Sequence, residues 1–366
     1  MKLKKFGCFR FILFGFSTSF ILCLILIVLV TWDNTHLPER SKTAERLAQQ
    51  EKDLLIESLH LRQTIGNEVL PGWDQAEIPV ILYNEAYAFL VDINSPPPDG
   101  WVTVCKREQL GAAWEIVPGD DFQGKPYYRQ AISTGVTPQA LMVKIGETYA
   151  ATLTTHEYYQ ILMRELIRAD LPGFLIPVLP YRIAIGLLID SSDQYVTLIL
   201  HEATHAYQGL TAPERLVAGE QANHDLEQVY PWENDSLRED WQAELDLLAR
   251  ALQAETDKET RQLTQEFLEV RQSRRVTAGL SADLIEFERH REWVEGIGRY
   301  AELSVYRLAQ ASSGYAPVEE ILNDPRFHQY KKFDNRWKRE VEQIKRMARD
   351  EDKSRFYYTT ISQGEP

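Results

Sequence analysis

Between residues 196 and 208 the chain reads VTLILHEATHAYQ, which places His201, Glu202 and His205 in the pattern HExxH. Four residues along a helix rotate the chain by about 400°, so two imidazoles at that spacing share one face, about 6 Å apart along the axis, and can grip one ion. Glu202 points further round, where it can act as general base on a water activated by the metal. The chain has 8 His, and independent placement yields the pattern with a probability on the order of 0.02, so accident is a weak explanation. Its setting weakens that explanation further. Val196, Leu198, Ile199 and Leu200 make the preceding turns apolar, and burying two His and a Glu there costs several kcal/mol unless they are paired or metal-bound.

A catalytic zinc ion takes three protein ligands and keeps a fourth position for water. The spacing HExxHxxGxxH is absent, since Gln208 and Leu210 begin a different sequence, so a carboxylate is the expected third ligand. Helical position leaves Glu288, Glu292, Glu295 and Glu302 equivalent, because offsets of 4, 7 and 14 put them near one face.

The segment EWVEGIGRYAE at 292 to 302, together with HEATH at 201 to 205, resembles the gluzincin metallopeptidases, whose second helix often reads W-x-x-E-G-x-A-x-Y. That resemblance implies Glu295 as the third metal ligand beside His201 and His205, one Zn2+ per chain, and a peptide or protein as substrate. Trp293 lies one residue closer to its Glu than in the aminopeptidase form of the motif. About 90 residues separate His205 from Glu295, and no Gly-x-Met-Glu-Asn segment precedes the site, so no subfamily follows. An oxyanion donor is also required. Tyr300 is the candidate transition-state stabiliser among Tyr306, His290, Arg299, Tyr357 and Tyr358. Asp190, Asp193 and Glu302 are candidates to orient the His ligands.

The elements that must position these residues are also legible. IPVILYNEAYAFLVD at 78 to 92, WVTVCK at 101 to 106 and LMVKI at 141 to 145 are rich in β-branched and aromatic residues and read as strands. The apolar run from Tyr181 to Asp190 reads as a further strand, feeding a helix from Gln194 to Gln208 that Gly209 stops. Residues 235 to 275, 283 to 311 and 326 to 353 show helical spacing with little Gly or Pro. The expected fold is α+β: a sheet-containing N-terminal lobe over 71 to 193, then the HExxH helix and a helical C-terminal lobe over 194 to 366, zincin-like in arrangement.

Residues 11 to 32 carry no charge, and 22 residues at about 1.5 Å each span the roughly 30 Å core of a bilayer. They read as a transmembrane anchor behind a basic segment at 1 to 10, with residues 33 to 70 as a helical stalk or linker and the body outside the cytoplasm. Removing the positive charges of Lys2, Lys4, Lys5 and Arg10 from a net charge of −14 leaves −18 on the remainder. A body that acidic repels phosphate backbones, so nucleic acid is not an expected partner. Cys8 and Cys23 lie beside or in the apolar run and Cys105 is alone in the body, which excludes a disulfide framework and a thiolate zinc cluster. The expected function is a membrane-anchored zinc-dependent hydrolase, a peptidase. The alternative is a catalytically inactive zinc-binding envelope protein whose acidic helical lobe binds a partner.

Overall fold

The computed structural model describes residues 21–104, 109–110, 113–132, 142–188 and 191–346. Two compact units divide the chain: residues 1–42 with 156–190, and residues 43–155 with 191–366.

The second unit holds an eight-stranded sheet. Its strands in chain order are β1 (Val80–Tyr83), β2 (Tyr87–Val91), β3 (Trp101–Thr103), β4 (Gln109–Leu110), β5 (Glu115–Ile116), β6 (Tyr128–Ala131), β7 (Val143–Ile145) and β8 (Thr148–Thr154). The spatial order is β4-β3-β7-β8-β1-β2-β6-β5. The β1–β8 pair is parallel and the other pairings are antiparallel. Strand β1 sits mid-sheet and every one of its residues is buried, as a strand covered on both faces must be. Alternation sorts the side chains: Val80 and Leu82 enter the main core, Ile81 and Tyr83 a smaller cluster. Asn84 makes the turn into β2 by accepting from the N–H groups of Ala86 and Tyr87. The three segments read as strands thus supply β1, β2, β3 and β7. Strand β8 was not expected. It forms a two-residue hairpin with β7 in which Ile145 faces Thr148 and Gly146 has φ +58°, a conformation glycine adopts without strain.

On the main-core face lie helices α2 (Gln49–Val69) and α5 (Ser192–Thr211). Residues 33 to 70 were expected as a stalk, yet Leu54, Leu55, Leu59, Leu61, Ile65 and Val69 of α2 are core residues. Their apolar stripe packs with Val196 and Leu200 of α5. Gly209 does not stop α5, which runs on to Thr211. A Cβ on Gly209 would lie 2.4 Å from the Tyr149 ring of β8, so this glycine lets helix and strand approach.

Further helices complete the unit: α6 (Pro213–Leu226), α7 (Asp235–Ala251), α8 (Asp257–Thr277), α9 (Ala282–Arg291), α10 (Ile297–Ala311) and α11 (Phe333–Ile344). Asn234, Thr256 and Ser281 cap the N-termini of α7, α8 and α9 through their side chains. A second apolar cluster built on Trp241, Leu245, Leu248, Phe267 and Phe287 binds α7, α8 and α9 together.

The first unit corrects two expectations. The apolar run at 11 to 32 was read as a transmembrane helix; residues 11 to 20 lie outside the described residues, and residues 21–35 form helix α1. No helix among the described residues is long and apolar enough to cross a membrane, which overturns the single-pass anchor and the extracytoplasmic placement that rested on it. The end of α1 is also committed to polar contacts. Asn34 donates to the carbonyls of Pro177 and Leu179 at 3.0 and 2.8 Å, and Asp33 pairs with Arg182 at 2.9 Å.

Residues 181 to 190 were expected as a strand, but Tyr181–Leu188 is helix α4. Pro180 starts it, its carbonyl accepting from the N–H of Ala184. Tyr181 and Ile185, four residues apart on one face, enter a small cluster with Leu37, Tyr159 and Ile167, of which Tyr159 and Ile167 belong to α3 (His156–Asp170).

Candidate metal centre

Helix α5 delivers His201, Glu202 and His205 from one buried stretch. Both imidazoles are buried and Glu202 is half-buried. One ligand atom of each lies within 4.8 Å of the others, so the group could hold a metal ion. The imidazole rings stand edge to face, centroids 4.7 Å apart at 84°.

A candidate third donor comes from the segment between α9 and α10. Glu295 Oε2 lies 3.6 Å from His201 Nε2 and 3.7 Å from His205 Nε2. Donors bound tetrahedrally at 2.0–2.2 Å stand about 3.3–3.5 Å apart, so the Glu295 oxygen is within a few tenths of an ångström of that separation from each imidazole nitrogen. Two imidazole nitrogens and one carboxylate oxygen suit a first-row transition ion rather than Ca2+ or Mg2+.

The carboxylates that helical spacing could not separate are separated by backbone. Glu292–Gly296 is a π-helical turn, whose i→i+5 hydrogen bonds take up one extra residue and shift the following face by about 100°. Glu288, before the turn, and Glu292, its first residue, meet the arginines of α8: Arg274 donates to Glu288 at 2.7 Å, and Arg271 to Glu292 at 3.0 Å. After it, Glu302 lies with its Oε2 3.5 Å from His201 Nδ1. The acidic stripe is therefore paired, with Glu288 and Glu302 buried and Glu292 and Glu295 half-buried, and Glu295 within the turn is the one that lies close to both imidazoles.

Supporting contacts fix the donors. Glu302 accepts from Arg299 at 2.6 Å and from Arg336, which also donates to Thr197 at 2.8 Å. His205 Nδ1 lies 3.0 Å from Gln208 Oε1, and Gln208 Nε2 donates to the Trp293 carbonyl at 2.8 Å. That chain ties the second imidazole to the π turn carrying Glu295. Gly298 lets α10 close on the site, since a Cβ there would stand 2.9 Å from the His201 ring.

Burial opposes charge on His201, but hydrogen bonds to Glu295 and Glu302 outweigh it and lift its pKa to about 10. Burial and the neighbouring His201 cation push His205 down to about 4. Burial raises Glu202 to about 7; His201 opposes this, while Glu295, Glu302 and Glu220 add to it. Glu295 is held well below the usual carboxylate range: burial works against this, and His201, Arg291 and His205 overcome it. One imidazole is thus charged and the other neutral, so metal uptake must displace a proton.

Other expected residues lie elsewhere. Tyr300 is half-buried against the main core and Tyr306 is within it. Asp193 accepts from the N–H groups of His328 and Tyr330 and so anchors a loop rather than an imidazole. Asp190, Tyr357 and Tyr358 lie outside the described residues. Sequence reasoning missed Gln208, Arg291 and Gly298. The first two stand three residues after His205 and four before Glu295, spacings at which helical side chains meet.

Comparisons with models of protein families, with curated proteins and with solved structures find no match to this chain.

Proposed function

We propose that the chain is a zinc-dependent hydrolase acting on peptide bonds, with His201, His205 and Glu295 as the residues that would hold the ion. The observation that carries the reading is a single oxygen, Glu295 Oε2, 3.6 and 3.7 Å from two imidazole Nε2 atoms. A bound zinc ion supplies a Lewis acid that polarises a scissile carbonyl.

Glu202 takes the proton from the attacking water and returns it to the departing amine. Its pKa of about 7 suits a group that must both accept and give a proton near neutrality. Its neighbours on α5 are the two ligands, so the helix that grips the ion also aims the base.

Replacing Glu202 by Gln separates binding from chemistry. Glu202→Gln should keep about one zinc per chain by elemental analysis while losing at least about a hundredfold in cleavage of a mixed peptide substrate. His201→Ala should lose both. Cleavage by Glu202→Gln at the wild-type rate removes Glu202 from the mechanism. A zinc-loaded wild type that cleaves nothing favours instead a metal-stabilised binding module.

A further inference from the structure

The two oxygens of Glu295 have different neighbours. Oε2 faces both imidazoles, whereas Oε1 accepts from Arg291 Nη2 at 2.7 Å. Arg291 is the last residue of α9, and Glu295 lies four residues on, inside the π turn. The guanidinium is held from a second side as well, with Nη1 4.0 Å from Glu220 Oε1 on α6. The side chains of Arg291, Glu295 and Glu220 are 13%, 12% and 21% exposed. This is not a pair of loose surface charges in which either oxygen would serve.

We propose that Arg291 is a positioning residue that keeps Glu295 a one-oxygen ligand, by occupying Oε1 from an anchor on α6. The inference rests on the zinc reading above and deepens it. A free carboxylate can close on a metal ion with both oxygens, which fills the position a substrate or water must use. A guanidinium is suited to prevent this, because its planar fork fixes the direction of the oxygen it holds and it stays charged at every working pH. Lysine can donate to the same oxygen, but from a single flexible point.

Cobalt substitution reads coordination directly, since the visible d–d bands of Co2+ weaken as ligands are added to a four-coordinate site. The full-length protein with one equivalent of Co2+ should show intense bands. In Arg291→Met those bands should fall by about twofold or more, and Arg291→Lys should recover most of the loss. The thermal midpoint of each apo variant and its cobalt stoichiometry, measured alongside, separate a ligand effect from a folding defect. Bands of wild-type intensity in a folded, cobalt-loaded Arg291→Met protein overturn the positioning role alone and leave the metal site standing. A folded wild type that takes up neither Co2+ nor Zn2+ overturns the metal reading and this inference together.

Discussion

At the scale of single residues the two imidazoles of the site are unequal, and the inequality has a consequence that can be measured. His201 is flanked by Glu295 and Glu302 and its pKa stands at about 10 against an ordinary 6.5. A raised pKa stabilises the folded apo protein fully below pH 6.5, and that contribution is lost as the pH rises towards about 10. Zinc binding runs the other way, because the ligand must lose its proton. Between pH 7 and 9 the apparent zinc affinity should rise by about tenfold per pH unit, with about one proton released per ion. Calorimetry in two buffers of different ionisation enthalpy measures that proton, and an affinity flat across the range would exclude a protonated His201. Gly298 offers a steric test of the same atoms. Gly298→Ala drives a methyl group to 2.9 Å from the His201 ring, so it should destabilise the fold by about 1–3 kcal/mol and lower zinc occupancy. An unchanged urea midpoint and full occupancy would mean that α10 can retreat without disturbing the ligand.

At the scale of elements the π turn is decisive, and what holds it is a buried ion cluster. Glu244, Arg274 and Glu288 are 0%, 1% and 0% exposed. Arg274 donates to Glu244 at 2.8 Å and to Glu288 at 2.7 and 3.1 Å, and its guanidinium lies 3.7 Å from the Trp241 ring centre. Tyr230 donates to Glu288 at 2.6 Å. Charges so buried are tolerable only when paired, and removing one partner leaves the others stranded. Glu288→Gln should therefore lower the unfolding free energy by about 3–5 kcal/mol in urea titrations at neutral pH. A loss below about 1 kcal/mol would show that water reaches the cluster. Against the opposing effect of burial, the arginines hold Glu288 below its ordinary pKa. Its contribution is present above the usual carboxylate pKa and disappears as the pH falls through the depressed one. Glu292 sits beside this cluster with a pKa raised by burial to about 7, which gives the segment just before Glu295 a carboxyl that is partly protonated at neutrality.

For the whole molecule, the unit that carries the site has its own apolar cores. The main cluster, the helical cluster and the cluster under the far face of the sheet all draw on residues 43–155 and 191–366. The small cluster around Tyr181 and Ile185 draws only on the other unit. Tyr195 donates to the Thr154 carbonyl at 2.6 Å, so the two ends that flank residues 156–190 are near one another. A chain that lacks residues 1–42 and carries a short Gly/Ser linker in place of 156–190 should fold cooperatively and bind about one zinc ion. Loss of the cooperative transition would show that the excised unit is required for this core. Leu55→Ala tests the role of α2, and as a fully buried side chain it should cost about 2–5 kcal/mol. A stalk helix would tolerate it.

The sequence by itself determined the local grouping: two imidazoles and a carboxylate on one helical turn, because HExxH at helical pitch leaves them no other arrangement. It also determined the strands whose residues alternate without competition, β1, β2, β3 and β7. Only the tertiary structure decided the rest. The apolar run from Tyr181 reads as a strand, and it is Pro180 and an i, i+4 face against Leu37 that make it helix α4. The apolar composition at 21–32 did not reveal that Asp33 and Asn34 are bound to residues 177–182. Four glutamates at offsets of 4, 7 and 14 look alike in any regular helix, and it took the wider turn at Glu292–Gly296 to leave two with the arginines of α8, bring Glu302 to the back of His201 and set Glu295 between the two imidazoles. Side-chain spacing specifies a face only while the backbone keeps its period, and Glu295 lies where that period breaks.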